Sequence, residues 1–242
     1  FSPVLSSGTA TYNVPIALPA GRAGVQPTLA LAYSSTGGNS CVGFGWSFEP
    51  PYISRQTDRG LPRYVDGAAW TVEEDRFFYN GGQELVPVSA SDAQALDGTI
   101  APPEYSSWQQ YRARVEGAFM RFYRAPDGRS WAVQGPDGSL LEFGEVASAT
   151  LPSDFGTTAP ALQTEDGNGR GRIFRWFLTR MSDVHGSTVY YRYSESLRSA
   201  AGPDGSRYLI DIHYGSPAAC GVAGNTPADA RARRHCTQPL AS

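Results

Sequence analysis

The sequence predicts an all-β, mostly antiparallel protein, a twisted sheet built from hairpins. Three observations carry this. Pro126-Asp127-Gly128 and Pro136-Asp137-Gly138 recur ten residues apart between short apolar segments. Proline presets the second turn position, aspartate bonds its own backbone and glycine takes the next twist. Asn80-Gly81-Gly82 separates an aromatic run from an apolar one, the pattern of a hairpin with φ > 0 at its turn. Phe119, Arg121 and Tyr123 alternate with Met120, Phe122 and Arg124 in the period of a strand.

Taken in order, Gly8 to Phe48 reads as a strand over Ala10–Leu18, a Pro/Gly-rich crossing from Pro19 to Pro27, and a second strand over Thr28–Tyr33. A small-residue loop follows, then a third strand starting at Trp46. Pro19 and Pro27 fix φ and lack an N–H, so the segment between them cannot extend either ladder. Gly21 and Gly24 suit the φ > 0 conformations of such a crossing. Nothing in this stretch is a nucleophile, a general base or a ligand set for a metal.

Pro50-Pro51 within Phe48–Gln56 suits an edge or a strand entry. Arg63–Val72 holds Asp66-Gly67, and Asp75–Val88 is the clearest hairpin. Ser89–Pro103 is small, polar and aperiodic, a loop. Tyr111–Glu145 reads as an antiparallel meander. After a low-complexity connection over Ala147–Arg170 come a strand over Ile173–Met181, a turn at Asp183-Val184-His185-Gly186 and a Tyr-rich strand over Thr188–Tyr193. Pro203-Asp204-Gly205 then leads into Tyr208–Gly215. Residues 1–215 are expected to form one β domain. Residues 216–242 read as a loop or short helix, with Thr226–Arg234 helical or disordered, leading toward further strands.

Composition narrows the function classes. The chain has 242 residues, 40% of them hydrophobic, enough for a substantial core. A net charge of −3 and a pI near 5.6 argue against nucleic acid or an anionic membrane as partner. All 20 basic residues are arginine. No apolar run reaches the ~18–20 residues of a membrane span. The chain starts at Phe1 without a signal pattern and stops at Ala241-Ser242, and reads as a piece of something longer. Cys220 and Cys236 could close a disulfide in an oxidising compartment, leaving Cys41 free, or all three could be unpaired thiols.

The search for chemistry finds no GxSxG elbow, no HExxH and, without lysine, no P-loop. Gly167, Gly169 and Gly171 form a GxGxG string, but it opens onto an aromatic strand, not a helix. Asp166-Gly167-Asn168-Gly169 resembles part of a calcium loop, yet Phe177 stands where an EF-hand needs its last carboxylate. His185 with Asp183 and His213 with Asp211 could hydrogen-bond, or serve a turn and a surface. Trp70, Tyr105, Trp108, Tyr111 and Tyr123 could be stacking platforms for sugars, or core and cross-strand packing. No cofactor, metal or catalytic residue is assigned.

One resemblance is specific. The run Pro15-Ile16-Ala17-Leu18-Pro19-Ala20-Gly21-Arg22-Ala23-Gly24-Val25-Gln26-Pro27, followed by Leu29, Leu31, Tyr33-Ser34-Ser35 and Gly43-Phe44-Gly45-Trp46, resembles the opening of the SpvB-type N-terminal domain. That domain is shared by SpvB virulence proteins and the B components of bacterial Tc insecticidal toxin complexes, and is related to Rhs and YD-repeat proteins. The Asp183 to Gly186 turn resembles a YD-type hairpin. The resemblance covers Gly8 to Gly215 and marks Pro19, Gly21, Gly24, Pro27, Tyr33, Gly43, Gly45, Trp46, Asp183 and Gly186 as structural positions.

It implies a non-catalytic segment of a secreted bacterial toxin or Rhs-like protein, part of a larger Rhs-like β-shell. Such a cocoon encloses and helps deliver a toxic C-terminal effector. The implied partners are downstream segments of the same polypeptide, the enclosed effector and, through other domains, a pore-forming Tc A component. Some SpvB proteins carry a separate C-terminal ADP-ribosyltransferase domain, whose E-x-E signature this segment lacks. A cell-surface carbohydrate-binding or adhesin module is the alternative.

Overall fold

The fold is taken from a computed structural model, which describes residues 2–4, 8–21, 24–40, 42–67, 69–89, 91–92, 103–145, 161–164, 172–195 and 207–214. The first strands are β1 (Ser2–Val4), β2 (Thr9–Pro15), β3 (Ala30–Ser34), β4 (Asn39–Ser40), β5 (Gly43–Phe44) and β6 (Trp46–Ser47). β1, β2, β3 and β6 pair in that order as a four-stranded antiparallel sheet, while β4 and β5 form a separate ribbon. β2 stops at Pro15, short of the expected Leu18. One further bond, from Ile16 N to Leu29 O at 2.9 Å, ends the ladder. No residue of β2, β3 or β6 is buried.

The rest of the chain supplies β7 (Tyr52–Arg55), β8 (Phe77–Tyr79), β9 (Gln83–Pro87), β10 (Gln109–Ala113), β11 (Arg121–Arg124), β12 (Ser130–Gln134) and β13 (Leu140–Gly144). After these come β14 (Leu162–Thr164), β15 (Ile173–Ser182), β16 (Thr188–Glu195) and β17 (Arg207–His213). β7 to β13 follow one another as antiparallel neighbours. The array does not stay open. β15, ten residues long, pairs Arg175–Phe177 with β7 and Leu178–Ser182 with β13, closing an eight-stranded up-and-down barrel. β14 lines the first part of β15, and β16 with β17 extends from its last part as an arm. Pro50-Pro51 therefore precedes a barrel strand and no free edge: Pro51 O accepts from Leu178 N at 3.0 Å.

A bulge lets β15 serve both neighbours. Phe143 faces Leu178 and Glu142 faces Arg180, so Thr179 is the extra residue. Its Oγ1 donates to Gly144 O at 2.8 Å. The inward positions of the barrel carry Ile53, Phe77, Phe122, Trp131, Phe143 and Trp176, all 2% exposed or less. The ring of Phe77 meets Tyr111, Trp131 and Trp176 edge-on, at 5.9, 5.1 and 5.8 Å between centroids. Each such ring removes about 150–250 Å² from water, roughly 4–6 kcal/mol of gross stabilisation at ~25 cal/mol per Å². The barrel interior is thus a packed core.

Arg55 also points inward. Its guanidinium meets Asp66 and Asp75 from the connection between β7 and β8, and its Nε donates to Ile173 O at 2.7 Å. The connection is thereby tied to the barrel interior. Tyr64 and Trp70, both at φ +60°, bend it there.

Candidate functional site

The family-type positions near the N-terminus make turns and close packing. Tyr33 of β3 stands opposite Trp46 of β6, with ring centroids 5.3 Å apart at 54°. Gly45 lies between them in the chain at φ +78°, where a Cβ would sit 2.6 Å from Tyr33 Cε2. Its carbonyl accepts from Ser34 N at 2.8 Å. Gly43 sits at φ +115° and Gly24 at φ +80°. In the crossing, Gly21 N donates to Gln26 Oε1 at 3.2 Å and Gly24 N to Gly21 O at 3.2 Å, with Pro27 buried. Pro19 O accepts from Tyr214 Oη at 3.1 Å, joining the crossing to the residue just past β17.

Asp183 and Gly186 lie elsewhere, at the β15–β16 turn. Asp183 Oδ1 accepts from the backbone N–H of His185 at 2.9 Å and of Ser187 at 2.7 Å, and Gly186 takes φ +80°. Asp183 therefore serves the turn through the His185 backbone. His213 Nε2 lies 3.7 Å from Asp211 Oδ2 on the arm. Cys41, Cys220, Cys236 and the Asp166–Gly169 loop lie outside the described residues, as do Gly171 and Thr226–Arg234.

The five aromatic residues considered as sugar platforms separate by register. Tyr111 faces the barrel core at 2% exposure and Trp70 lies under the Arg76 guanidinium at 3.3 Å. Tyr123 faces outward, but Tyr105, the last residue of a short 3₁₀ segment (Pro103–Tyr105), covers it. Tyr105 stacks on Tyr123 at 6.0 Å and 21°, and meets Trp108 edge-on at 4.8 Å. Of the five, Tyr105 and Trp108 line a cleft. It lies between them and the β11–β12 turn and has a volume of about 590 Å³.

Charged groups complete its walls. Glu142 Oε1 accepts from Tyr105 Oη at 3.0 Å, and Glu142 Oε2 from Arg180 Nε. Burial, then the negative charge and hydrogen bond of Glu142, push the Tyr105 hydroxyl far above the usual phenol range. Glu145 accepts from Arg129 Nε, and Asp127 Oδ1 from Arg129 N at 2.9 Å. Glu104 presents an exposed carboxylate. Three of these carboxylates are held as hydrogen-bond acceptors, an arrangement suited to binding. Among the described residues no group of three His, Cys, Asp or Glu side chains could hold a metal ion. Nor is any described helix long and apolar enough to cross a membrane. The Glu142–Arg180 pair escapes sequence reading because the bulge at Thr179 shifts the register that brings them together.

Residues 4–231 match the family described as SpvB, Salmonella virulence plasmid 65kDa B protein. The chain is 29% identical over 228 residues to the Salmonella typhimurium protein named Mono(ADP-ribosyl)transferase SpvB, covering 86% of this chain and 35% of that protein. It therefore spans about a third of the length of that relative. Its fold is similar to the N-terminal domain of effector protein SpvB from Salmonella typhimurium strain LT2, with TM-score 0.62 and 24% identity, over 90% of this chain and 68% of that one. It is also similar to a chain in the crystal structure of TcdB2-TccC3, with TM-score 0.64 and 22% identity, over 92% of this chain and 11% of that one.

Proposed function

The chain belongs to the SpvB family of Salmonella virulence plasmid 65kDa B proteins, and on that premise we propose that it is a non-catalytic structural segment of a secreted bacterial toxin. In this reading residues 1–215 contribute wall to a β-sheet cocoon, and residues 216–242 lead into downstream strands. The cocoon encloses a toxic C-terminal effector, and a pore-forming Tc A component engages the assembled toxin through other domains.

One observation carries the reading. The sheet of β1, β2, β3 and β6 has no buried residue in β2, β3 or β6, although Tyr33 and Trp46 sit on it. A sheet whose residues are half-buried or exposed gains less from burial than a core sheet, and another layer against it would complete that burial. A similar fold making up 11% of a much longer chain supports the same reading. ADP-ribosyl transfer, the activity in the relative's name, belongs in this proposal to sequence beyond the segment.

The test compares protease resistance and oligomeric state of this chain with those of the chain extended by its native downstream sequence. The reading expects the first sheet to be digested in the short form and protected in the long one. Equal resistance in both forms would overturn it. A glycan-binding or adhesin role is the second reading, favoured by the cleft between Trp108 and Glu142, and a glycan array on the purified chain tests it.

A further inference from the structure

The chain seats its own arginines in one recurring way, between aromatic rings and carboxylates. Arg55 lies over Phe77 at 5.2 Å and Trp176 at 5.6 Å while binding Asp66 and Asp75. Arg124 lies over Phe77 at 5.0 Å and binds Asp66 at 2.7 Å. Arg175 lies over Tyr52 at 4.3 Å, 3.4 Å from Glu49. The cleft beside Trp108 offers the same ingredients to the outside.

We propose that this cleft binds the guanidinium of an arginine side chain presented by another polypeptide segment. The inference is independent of the scaffold reading. Among the described residues, four carboxylates line the cleft, Glu104, Asp127, Glu142 and Glu145, against the guanidinium of Arg180 and that of Arg129 paired with Glu145, a balance of −2. Glu142 neutralises Arg180, so that cation does not repel a second one. Asp127 and Glu145 each engage Arg129 through one oxygen and keep the other as an acceptor. Trp108, the strongest class of cation–π partner, stands beside them.

Arginine fits better than lysine. Its flat guanidinium stacks on a ring and donates in its plane to carboxylates at the same time, whereas an ammonium is a strongly hydrated point charge. A neutral sugar could stack on Trp108 but would gain nothing from the net negative charge. The volume of about 590 Å³ exceeds one side chain, which leaves room for backbone on either side of the arginine.

The test titrates the 242-residue chain by calorimetry with acetyl-Gly-Arg-Gly-amide. The comparison ligands are its lysine and citrulline counterparts, agmatine and maltotriose. The expected result is binding of the arginine peptide about tenfold tighter than the neutral citrulline peptide. Affinity should fall severalfold from about 50 to about 300 mM NaCl. Glu104→Gln, at an exposed position, should weaken the arginine peptide severalfold with the circular dichroism and Tm of the chain unchanged. Trp108→Phe, which also trims packing against Tyr105, should weaken it severalfold with the circular dichroism unchanged. Equal affinity for the arginine and citrulline peptides, or no binding of either, would overturn the proposal. Agmatine as tight as the arginine peptide would reassign the cleft to a small guanidine, and displacement by maltotriose would reassign it to a glycan.

Discussion

The Arg55 guanidinium, facing into the barrel from β7, forms a two-pronged pair with Asp66 of the following connection, Nη1 to Oδ1 at 2.5 Å and Nη2 to Oδ2 at 3.1 Å. Arg55 is almost wholly buried and Asp66 about one third exposed, so the pair lies between the surface and interior cases. Asp66→Ala should lower the unfolding free energy by about 2–4 kcal/mol, measured by urea denaturation. Arg55→Lys should lose a similar amount, because an ammonium cannot reach Asp66, Asp75 and Ile173 O together. A cost below about 0.5 kcal/mol for Asp66→Ala would show that the connection is not anchored by this pair.

The same pair sets an acid limit. Burial alone would raise the Asp66 carboxyl, but hydrogen bonds and charge from Arg55 and Arg124 outweigh it and hold the group below the ordinary aspartate range. A depressed folded-state pKa gives stability that is fully present above the unfolded value, near 3.9, and lost as pH falls through the folded value. Wild type should therefore lose stability more steeply than Asp66→Asn as pH drops below about 4, which urea midpoints at several pH values would show.

Gly144 ends β13 at φ +80°, and a Cβ there would lie 2.3 Å from Arg129 O and 2.8 Å from Trp176 Cδ1. Gly144→Ala has to move backbone at the seam where the barrel closes. It should cost more than about 2 kcal/mol, read as a lowered Tm. An unchanged Tm would mean that the seam yields freely.

Gly45→Ala should act locally. The new methyl would strike the Tyr33 ring at a positive φ, costing about 1–3 kcal/mol in the first sheet. Hydrogen exchange should quicken in residues 30–34 while the amides of β11 and β12 keep their protection. Loss of protection in both regions would mean that the two sheets unfold as one unit.

All three tyrosines of β16 have raised hydroxyls, Tyr191 and Tyr193 among them. Burial pushes Tyr191 up to about 12, and burial together with Tyr191 holds Tyr193 well above the usual value. Tyr193 Oη also donates to Leu178 O at 2.8 Å. A raised phenol gives stability that is fully present below the unfolded value near 10 and lost as pH rises through the folded value. In an alkaline titration followed by ultraviolet absorbance, these two, together with Tyr105, should ionise only as the chain unfolds. Tyr193→Phe should remove one such late step.

Local features were legible in the sequence, and long-range pairing was not. Asn80 and Gly81 take the positive φ their hairpin requires, and Gly128, Gly138 and Gly186 close turns read from Pro-Asp-Gly and from Asp183 onward. The spacing could not show that β13 meets β15. Nothing in the period of Leu141 or Leu178 says which strand edge it will share, and the bulge at Thr179 breaks the alternation where closure occurs. The cleft was half legible. Tyr105 and Trp108 stand out in the sequence as aromatic, and Glu142 comes beside them through the β11–β12–β13 register, but Arg180 reaches the cleft only through that closure.

The shared strand also sets a timetable for synthesis. β7 emerges from the ribosome about 120 residues before Arg175–Phe177 of β15, its partner across the closing seam. At ~5–20 residues per second the open edge of the meander waits on the order of 10 s, with its backbone donors and its aromatic face uncovered. Nascent chains halted before residue 173 should therefore be bound by chaperones or aggregate, and chains released just after residue 182 should not.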